Sequence, residues 1–288
     1  MKLSAKNARD GYLLVAPVAL GCLIFYILPF ALVLRYSVMQ GVGAGQHFVR
    51  VENYVSVWNN EMFQLAFWNT MRFLVIGLPL ILIVSYAIAL LLKNQINRHK
   101  FLKSVLLFPY IMPVIGVVLV VDLVFGEVGF LNKILLTLAV PISDWLNSSA
   151  SFWVVMALYI WKNAGYSVIL LLSGLATIPE DPYEASQIDG ASGFQQFWYI
   201  TMPQMWYAVF FTTVFSFINA FKCFREIFLI GGTHPHKDIY MLQHFINNCF
   251  ENLSYPKLAV ASVLLLIVVT AVFALMYFWV NRKERFRA

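Results

Sequence analysis

The chain has 288 residues, of which 61% are hydrophobic and only 12% charged. A soluble domain carries about 45–50% apolar and about 25% charged residues, so this composition excludes an ordinary water-soluble fold. The formal net charge of +6 requires no nucleic-acid partner, because it is mostly an excess of Lys and Arg on one side of a membrane.

Six apolar runs follow one another at about 12–34, 67–92, 105–125, 152–175, 206–230 and 258–280. Each is near or above the ~20 residues that cross a hydrocarbon layer. Each must be helical, because hydrocarbon offers no partner to a bare amide or carbonyl. Pro79, Pro109 and Pro113 fall inside these runs, where packed membrane helices tolerate a kink. The first run is too long for the apolar core of a cleaved signal peptide. The first connection, 35–66, holds the flexible stretch Gly41-Val42-Gly43-Ala44-Gly45 and then an aromatic segment that reads as partly ordered. After the third run, Ile134–Val140 is too short to span and reads as lying along the interface. In the fifth connection Tyr240–Phe245 reads as a short amphipathic helix.

Orientation follows from the basic residues. The N-terminal tail, the second connection and the C-terminal tail hold Lys2, Lys6, Arg9, Lys93, Arg98, Lys100, Lys103, Arg282, Lys283, Arg285 and Arg287. The opposite side has Arg35, Arg50, Lys133, Lys237 and Lys257. Both termini are therefore expected on the cytoplasmic side. The fourth connection, 176–204, shares that side yet contains no Lys or Arg; it has Glu180, Asp181, Glu184 and Asp189. An acidic loop where basic residues are the rule suggests a basic partner surface. The three cysteines, Cys22, Cys223 and Cys249, are widely spaced and read as packing residues.

That acidic loop carries its own punctuation. Asp181 before Pro182 predicts an N-cap and a helix start. Gly190 predicts the stop, since φ > 0 is open to glycine. Ser192 is placed to cap a second short helix ending before Pro203. Ala185, Ile188 and Ala191, three residues apart, share one face. The loop reads Glu184-Ala185-Ser186, three residues, Gly190, nine residues, Ile200, one residue, Met202-Pro203.

This pattern resembles the EAA loop of the permease subunits of binding-protein-dependent ABC importers. The family pattern is Glu-Ala-Ala, three residues, Gly, nine residues, Ile, one residue, Leu-Pro; Ser186 and Met202 are mild departures. Asn53-Tyr54, Asn69-Thr70, Gly129-Phe130-Leu131-Asn132, Ile178-Pro179, Gly231-Gly232 and Tyr240 extend the likeness to the sugar subgroup, and most nearly to the maltose-type first permease subunit. The resemblance implies an all-α membrane protein with six transmembrane helices, the type I ABC importer permease fold. It implies that Glu184, Ala185, Ser186, Asp189 and Gly190 couple this chain to a cytoplasmic ATPase. It also implies as partners a second permease subunit, two ATPase subunits and an extracellular sugar-binding protein, in a bacterial inner membrane. No cofactor is expected on this chain, ATP being hydrolysed by partner subunits.

Polar residues inside spans are functional candidates, since burying them in lipid is unfavourable. Tyr159, Asn163 and Tyr166 form one stripe in the fourth run, beside Lys162. Ser216, Asn219 and Cys223 form another in the fifth, beside Lys222. Aromatic faces with hydrogen-bonding groups suit a sugar, while interhelical bonding is the alternative role. The resemblance favours Tyr166, eighteen residues before Glu184, and Ser216. Asp122 reads as buried in the third run, with Lys162 as one possible partner. Lys222, Arg225 and Glu226 read as a local charge cluster. His234 and His236 lack the further ligands of a metal site. No Gly-x4-Gly-Lys-Ser/Thr loop is present, so nothing here predicts nucleotide hydrolysis by this chain. The reading is a non-enzymatic importer subunit for a sugar, expected to be an oligosaccharide. A permease of the same architecture for glycerol phosphate, and an ion-coupled transporter working through Asp122, are the alternatives.

Overall fold

The computed structural model describes residues 5–41, 45–93 and 100–284. Residues 42–44 of the glycine stretch, and Lys2, Arg98, Arg285 and Arg287 of the orientation count, lie outside them. The helices in order are α1 (Ala5–Cys22) and α2 (Leu28–Ser37), joined by a π-helical turn at Leu23–Ile27, then α3 (Glu52–Trp58), α4 (Glu61–Leu92), α5 (Lys100–Ile111), α6 (Val114–Phe125) and α7 (Phe130–Thr137). After these come α8 (Ser151–Leu175), α9 (Asp181–Ile188), α10 (Gly193–Gln196), α11 (Met202–Gln204), α12 (Trp206–Lys222), α13 (Phe224–Gly231), α14 (Leu242–Glu251) and α15 (Tyr255–Glu284). Strands β1 (Met39–Gln40) and β2 (His47–Phe48) pair antiparallel.

Among the described residues, six stretches are long and apolar enough to cross a membrane: Gly11–Ser37, Glu61–Leu92, Val114–Thr137, Ser151–Leu175, Trp206–Gly231 and Tyr255–Leu275. The chain is thus a multi-pass membrane protein. The third run departs from the sequence expectation of one helix over 105–125. The helix stops at Ile111 and restarts at Val114. Pro113 takes an extended ψ of 145° as the N-cap of α6. It has no N–H to continue a helix, and its ring pushes Met112 out of the α region. Pro79 and Pro109 remain inside α4 and α5. The fifth run is also divided, at Cys223, between α12 and α13.

The chain forms two compact units, one of Met1–Gln64 with Phe245–Val269 and the other of Leu65–His244 with Thr270–Ala288. In the first, Asn53 ties α3 to the chain after α2 by donating to the carbonyls of Ser37 (3.1 Å) and Met39 (3.0 Å). The Tyr54 hydroxyl donates to Ser37 Oγ at 2.9 Å. Phe63 packs edge-on to Phe245.

The second unit is organised around α8, the most buried candidate span. Small residues set its contacts, as in other membrane helix pairs. A Cβ on Gly165 would sit 1.7 Å from the Leu106 carbonyl oxygen of α5. A Cβ on Gly174 would sit 2.4 Å from the Ala208 Cβ of α12. Elsewhere buried asparagines hold the connections. Asn132, almost fully buried, donates to the carbonyls of Gly126, Glu127 and Ser143. Its Oδ1 accepts from Ser143 N at 3.1 Å and Trp145 Nε1 at 2.9 Å. Asn69 donates to the carbonyls of Lys237 and Tyr240, and Thr70 Oγ1 accepts from Leu242 N. Those bonds fix the entry into α14.

Candidate functional site

Two places in the second unit hold the predicted residues. The first is the acidic loop. Its helix α9 runs Asp181–Ile188 and is followed by Gly190 at φ +77°, so the glycine stop is where the sequence puts it. The N-cap is Glu180 rather than Asp181, without a side-chain cap bond. Ser192 does cap the next helix, in a reciprocal bond with Gln195. That helix does not end before Pro203. A π-helical turn at Phe197–Thr201 carries it into α11, which contains Pro203.

The loop is locked on its inner side. The Tyr183 hydroxyl and Thr201 Oγ1 share a hydrogen bond of 2.8 Å, and Lys93 Nζ lies 4.7 Å from the Tyr183 ring centroid. Ser186 Oγ donates to the Tyr183 carbonyl (2.8 Å) and accepts from Gln196 Nε2 (2.9 Å). Serine at the third motif position thus faces inward and staples the two short helices together. Tyr183 also packs against the cluster of Ala89, Val168, Leu171, Leu172, Leu175, Ile178 and Met205, which joins the end of α8 to the start of α12. Glu184, Ala185 and Asp189 face outward. Beside them Ile188 is 88%, Phe194 74% and Tyr199 80% exposed. The two aromatics were not singled out from sequence, although aromatics in an otherwise polar connection were the available signal. Exposed apolar patches of this kind mark interaction surfaces.

The second place is an open cleft lined by Tyr110 of α5, Val114 of α6, Lys162 and Asn163 of α8, Asn219 and Lys222 of α12, Cys223, and Arg225 and Glu226 of α13. It encloses about 620 Å³ of space, part of it open to solvent. Asn163, Asn219 and Cys223 line it as residues of the predicted stripes. Tyr166 stands one layer behind, stacked on Tyr110 at 4.8 Å with an interplanar angle of 11°, and edge-on to Phe215. Tyr159 and Ser216 are placed in the α8–α12 seam. Both are fully buried, and the Tyr159 hydroxyl donates to the Ser216 carbonyl at 2.7 Å. Ser216 Oγ also lies 3.4 Å from Ser167 Oγ. Those two residues act here as helix-to-helix fastenings.

The charges pair differently from the sequence reading. Glu226 does not pair with Lys222 or Arg225 on its own run. It forms its ion pair with Lys162 across the cleft, because Glu226 points from α13 back toward α8. Asp122 is exposed on the surface of this chain rather than buried, and Lys162, its suggested partner, is engaged by Glu226. Tyr110 and Val114 entered the site without a sequence signal, since their position depends on the break at Pro113 and the crossing at Gly165. Among the described residues, no group of three or more His, Cys, Asp or Glu side chains is arranged to hold a metal ion.

A family model described as binding-protein-dependent transport system inner membrane component matches residues 77–286. The chain is 28% identical over 288 residues to a trehalose/maltose transport system permease protein of Thermococcus litoralis, covering 99% of this chain and 97% of the relative. It is 27% identical to an arabinooligosaccharides transport system permease protein of Bacillus subtilis, over 91% of this chain and 85% of the relative. It is 29% identical to an sn-glycerol-3-phosphate transport system permease protein of Agrobacterium fabrum, over 96% of both. A chain of a bacterial ABC transporter involved in the import of the acidic polysaccharide alginate superimposes with a TM-score of 0.78 at 19% identity, over 96% of this chain and 98% of that one. The similarity to that transporter concerns the fold.

Proposed function

Since the chain belongs to the binding-protein-dependent transport system inner membrane component family, we propose that it is one permease subunit of an ATP-driven sugar importer. It forms half of the translocation pathway, for which oligosaccharides are the favoured cargo. The permeases for trehalose/maltose and arabinooligosaccharides among its relatives support that cargo. The chain is a transport subunit and performs no covalent chemistry. ATP is bound and hydrolysed by two cytoplasmic ATPase subunits, and a second permease and an extracellular sugar-binding protein complete the assembly. Both termini lie in the cytoplasm, with loop 176–204 on the same side.

The observation that carries the reading is the construction of that loop. Its outer face offers Glu184, Ala185, Asp189 and exposed apolar side chains, while its inner face is fastened to the ends of α8 and α12 through Tyr183, Ser186, Gln196 and Thr201. A push on α9 is therefore delivered to two helices together. At 1.5 Å per residue, Asn163 on α8 lies roughly 18 Å from Leu175, and Asn219 on α12 roughly 20 Å from Trp206. Rigid helices carry a displacement over that distance to the cleft, opening it alternately to the two sides. An ion-coupled mechanism through Asp122 draws no support from that residue's position at the surface. The glycerol phosphate alternative keeps one supporting observation, the cations of the cleft.

Co-purification of the tagged chain with the co-expressed ATPase tests the proposal. Glu184→Lys reverses charge on the exposed face. Gly190→Pro removes the Gly190 N–H that donates to the Gln187 carbonyl at 3.1 Å and forbids the +77° φ. Both variants are expected to lose the ATPase while remaining folded in the membrane. Retention of the ATPase by both at the native level would refute the loop's role.

A further inference from the structure

The cleft contains three cations and one carboxylate. Lys162 and Glu226 neutralise each other. Lys222 and Arg225 are exposed to the cleft and have no acid partner among the described residues. Both belong to the candidate span Trp206–Gly231. A cation without a counter-charge in such a segment is unfavourable and marks a functional path. The planar fork of arginine matches a carboxylate or phosphate in two parallel hydrogen bonds, and lysine adds a point charge.

A second observation concerns Glu226. It is only 2% exposed. Its Oε1 accepts from Lys162, but Oε2 is buried and has no hydrogen-bond donor among the described residues. A buried acceptor left unmade is unfavourable, and a ligand hydroxyl would satisfy it. The amides of Asn163 and Asn219, which also line the cleft, offer further hydrogen bonds to hydroxyls. A bare inorganic anion would leave Oε2 unsatisfied and would meet its negative charge. A neutral sugar would leave the two cations unmatched.

Building on the importer proposal, we infer that the transported solute is a polyhydroxylated anion, a sugar or polyol carrying a carboxylate or phosphate. Lys222 and Arg225 take the anionic group, and Glu226 accepts from a hydroxyl. Lys162 holds Glu226 in place at the cleft through their ion pair.

The test uses the importer assembled from this chain and the subunits that co-purify with it, in proteoliposomes loaded with ATP. Uptake is measured for a neutral oligosaccharide, an oligouronate and glycerol phosphate. The native complex is expected to accumulate an anionic solute, and the arm that does so distinguishes carboxylate from phosphate. The double variant Lys222→Gln/Arg225→Gln should lower that uptake about tenfold or more, the scale of a lost charge-assisted bond, and leave any neutral uptake unchanged. Lys257→Gln, a cation outside the cleft, serves as the control and should match the native chain. In the native complex, KM for the anion should rise as salt screens the exposed cations; this reading needs no variant to fold. Neutral uptake equal to anionic uptake and untouched by the double variant would overturn the inference. So would an equal loss of both in an intact complex. Absence of ATP-dependent uptake of every solute by an assembled complex would overturn the importer proposal itself, and the inference with it.

Discussion

Gly165→Ala isolates the packing that positions the cleft. The added Cβ would lie 1.7 Å from the Leu106 carbonyl oxygen, whereas C···O approaches stop near ~3.3 Å. Helices α5 and α8 must separate by roughly 1.6 Å, or one of them must shift its register. The obstacle is backbone, so no side-chain rotamer relieves it. Overpacking of this kind costs about 1–3 kcal/mol and occasionally more. A gap of ~0.5–1 Å already forfeits a quarter to a half of each dispersion contact along the seam. A loss of about 3 kcal/mol corresponds to a fall in Tm of roughly 6–12 °C for a domain of this size. Separation of these helices also moves Tyr110 away from Tyr166 and Lys162, so transport should fall with stability. Thermal unfolding of the detergent-solubilised chain, read by tryptophan fluorescence, measures the first effect. Gly190→Ala is the comparison. Nothing lies within 4 Å of the place its methyl group would take, but φ is +77°. Its local strain is about 1–2 kcal/mol, confined to the loop. A Tm for Gly165→Ala within about 2 °C of the native value, less than the shift expected from even a 1 kcal/mol loss, would refute the close crossing of α5 and α8.

Three further outcomes are expected. Asn132→Leu removes the acceptor of Ser143 N and Trp145 Nε1 and the donor to three carbonyls. It should destabilise by about 3 kcal/mol, since orphaned buried polar groups cost about 1–3 kcal/mol each; denaturant titration in detergent checks this. Ser186→Ala restores the family's alanine but deletes the staple to Gln196, so coupled ATPase activity should fall several-fold while cleft mutants show no such change. Stability should also depend on pH through His244, which burial, with a smaller effect of His234, pushes down to about 4. Unfolded, this histidine binds a proton below about pH 6.5, while in the fold it stays neutral until about pH 4. The unfolded state therefore holds more protons in that window, so stability is full above pH 6.5 and declines as pH falls toward 4. The decline amounts to about 3 kcal/mol at ~1.4 kcal/mol per unit. His244→Phe should flatten this slope in unfolding measured across that range, and an unchanged slope would exclude His244 as its source.

Much of the architecture is determined by one-dimensional chemistry. Apolar length sets the number of spans, because a lipid-facing backbone has no alternative to the helix. Gly190 sets the turn of the acidic loop, because its positive φ costs glycine little and strains other residues. The motif positions Asn53, Asn69, Thr70 and Asn132 were visible as family likeness, but the sequence does not say what they do. Their amides and hydroxyl bind backbone carbonyls and amides of connections that come together in three dimensions only after folding. The same limit governs the cleft. Helical periodicity puts Asn163 with Tyr159 and Asn219 with Ser216 on common faces, yet it cannot tell a face turned to a cavity from one turned to a neighbouring helix. The crossing of α8 with α12 turns Tyr159 and Ser216 inward against each other. The break at Pro113 and the close approach at Gly165 bring Tyr110 and Val114 to the opening. The division of the fifth run at Cys223 re-aims Glu226 from its sequence neighbours to Lys162. Charge pairing depends on distances of a few ångströms between helices, and only the tertiary structure supplies those.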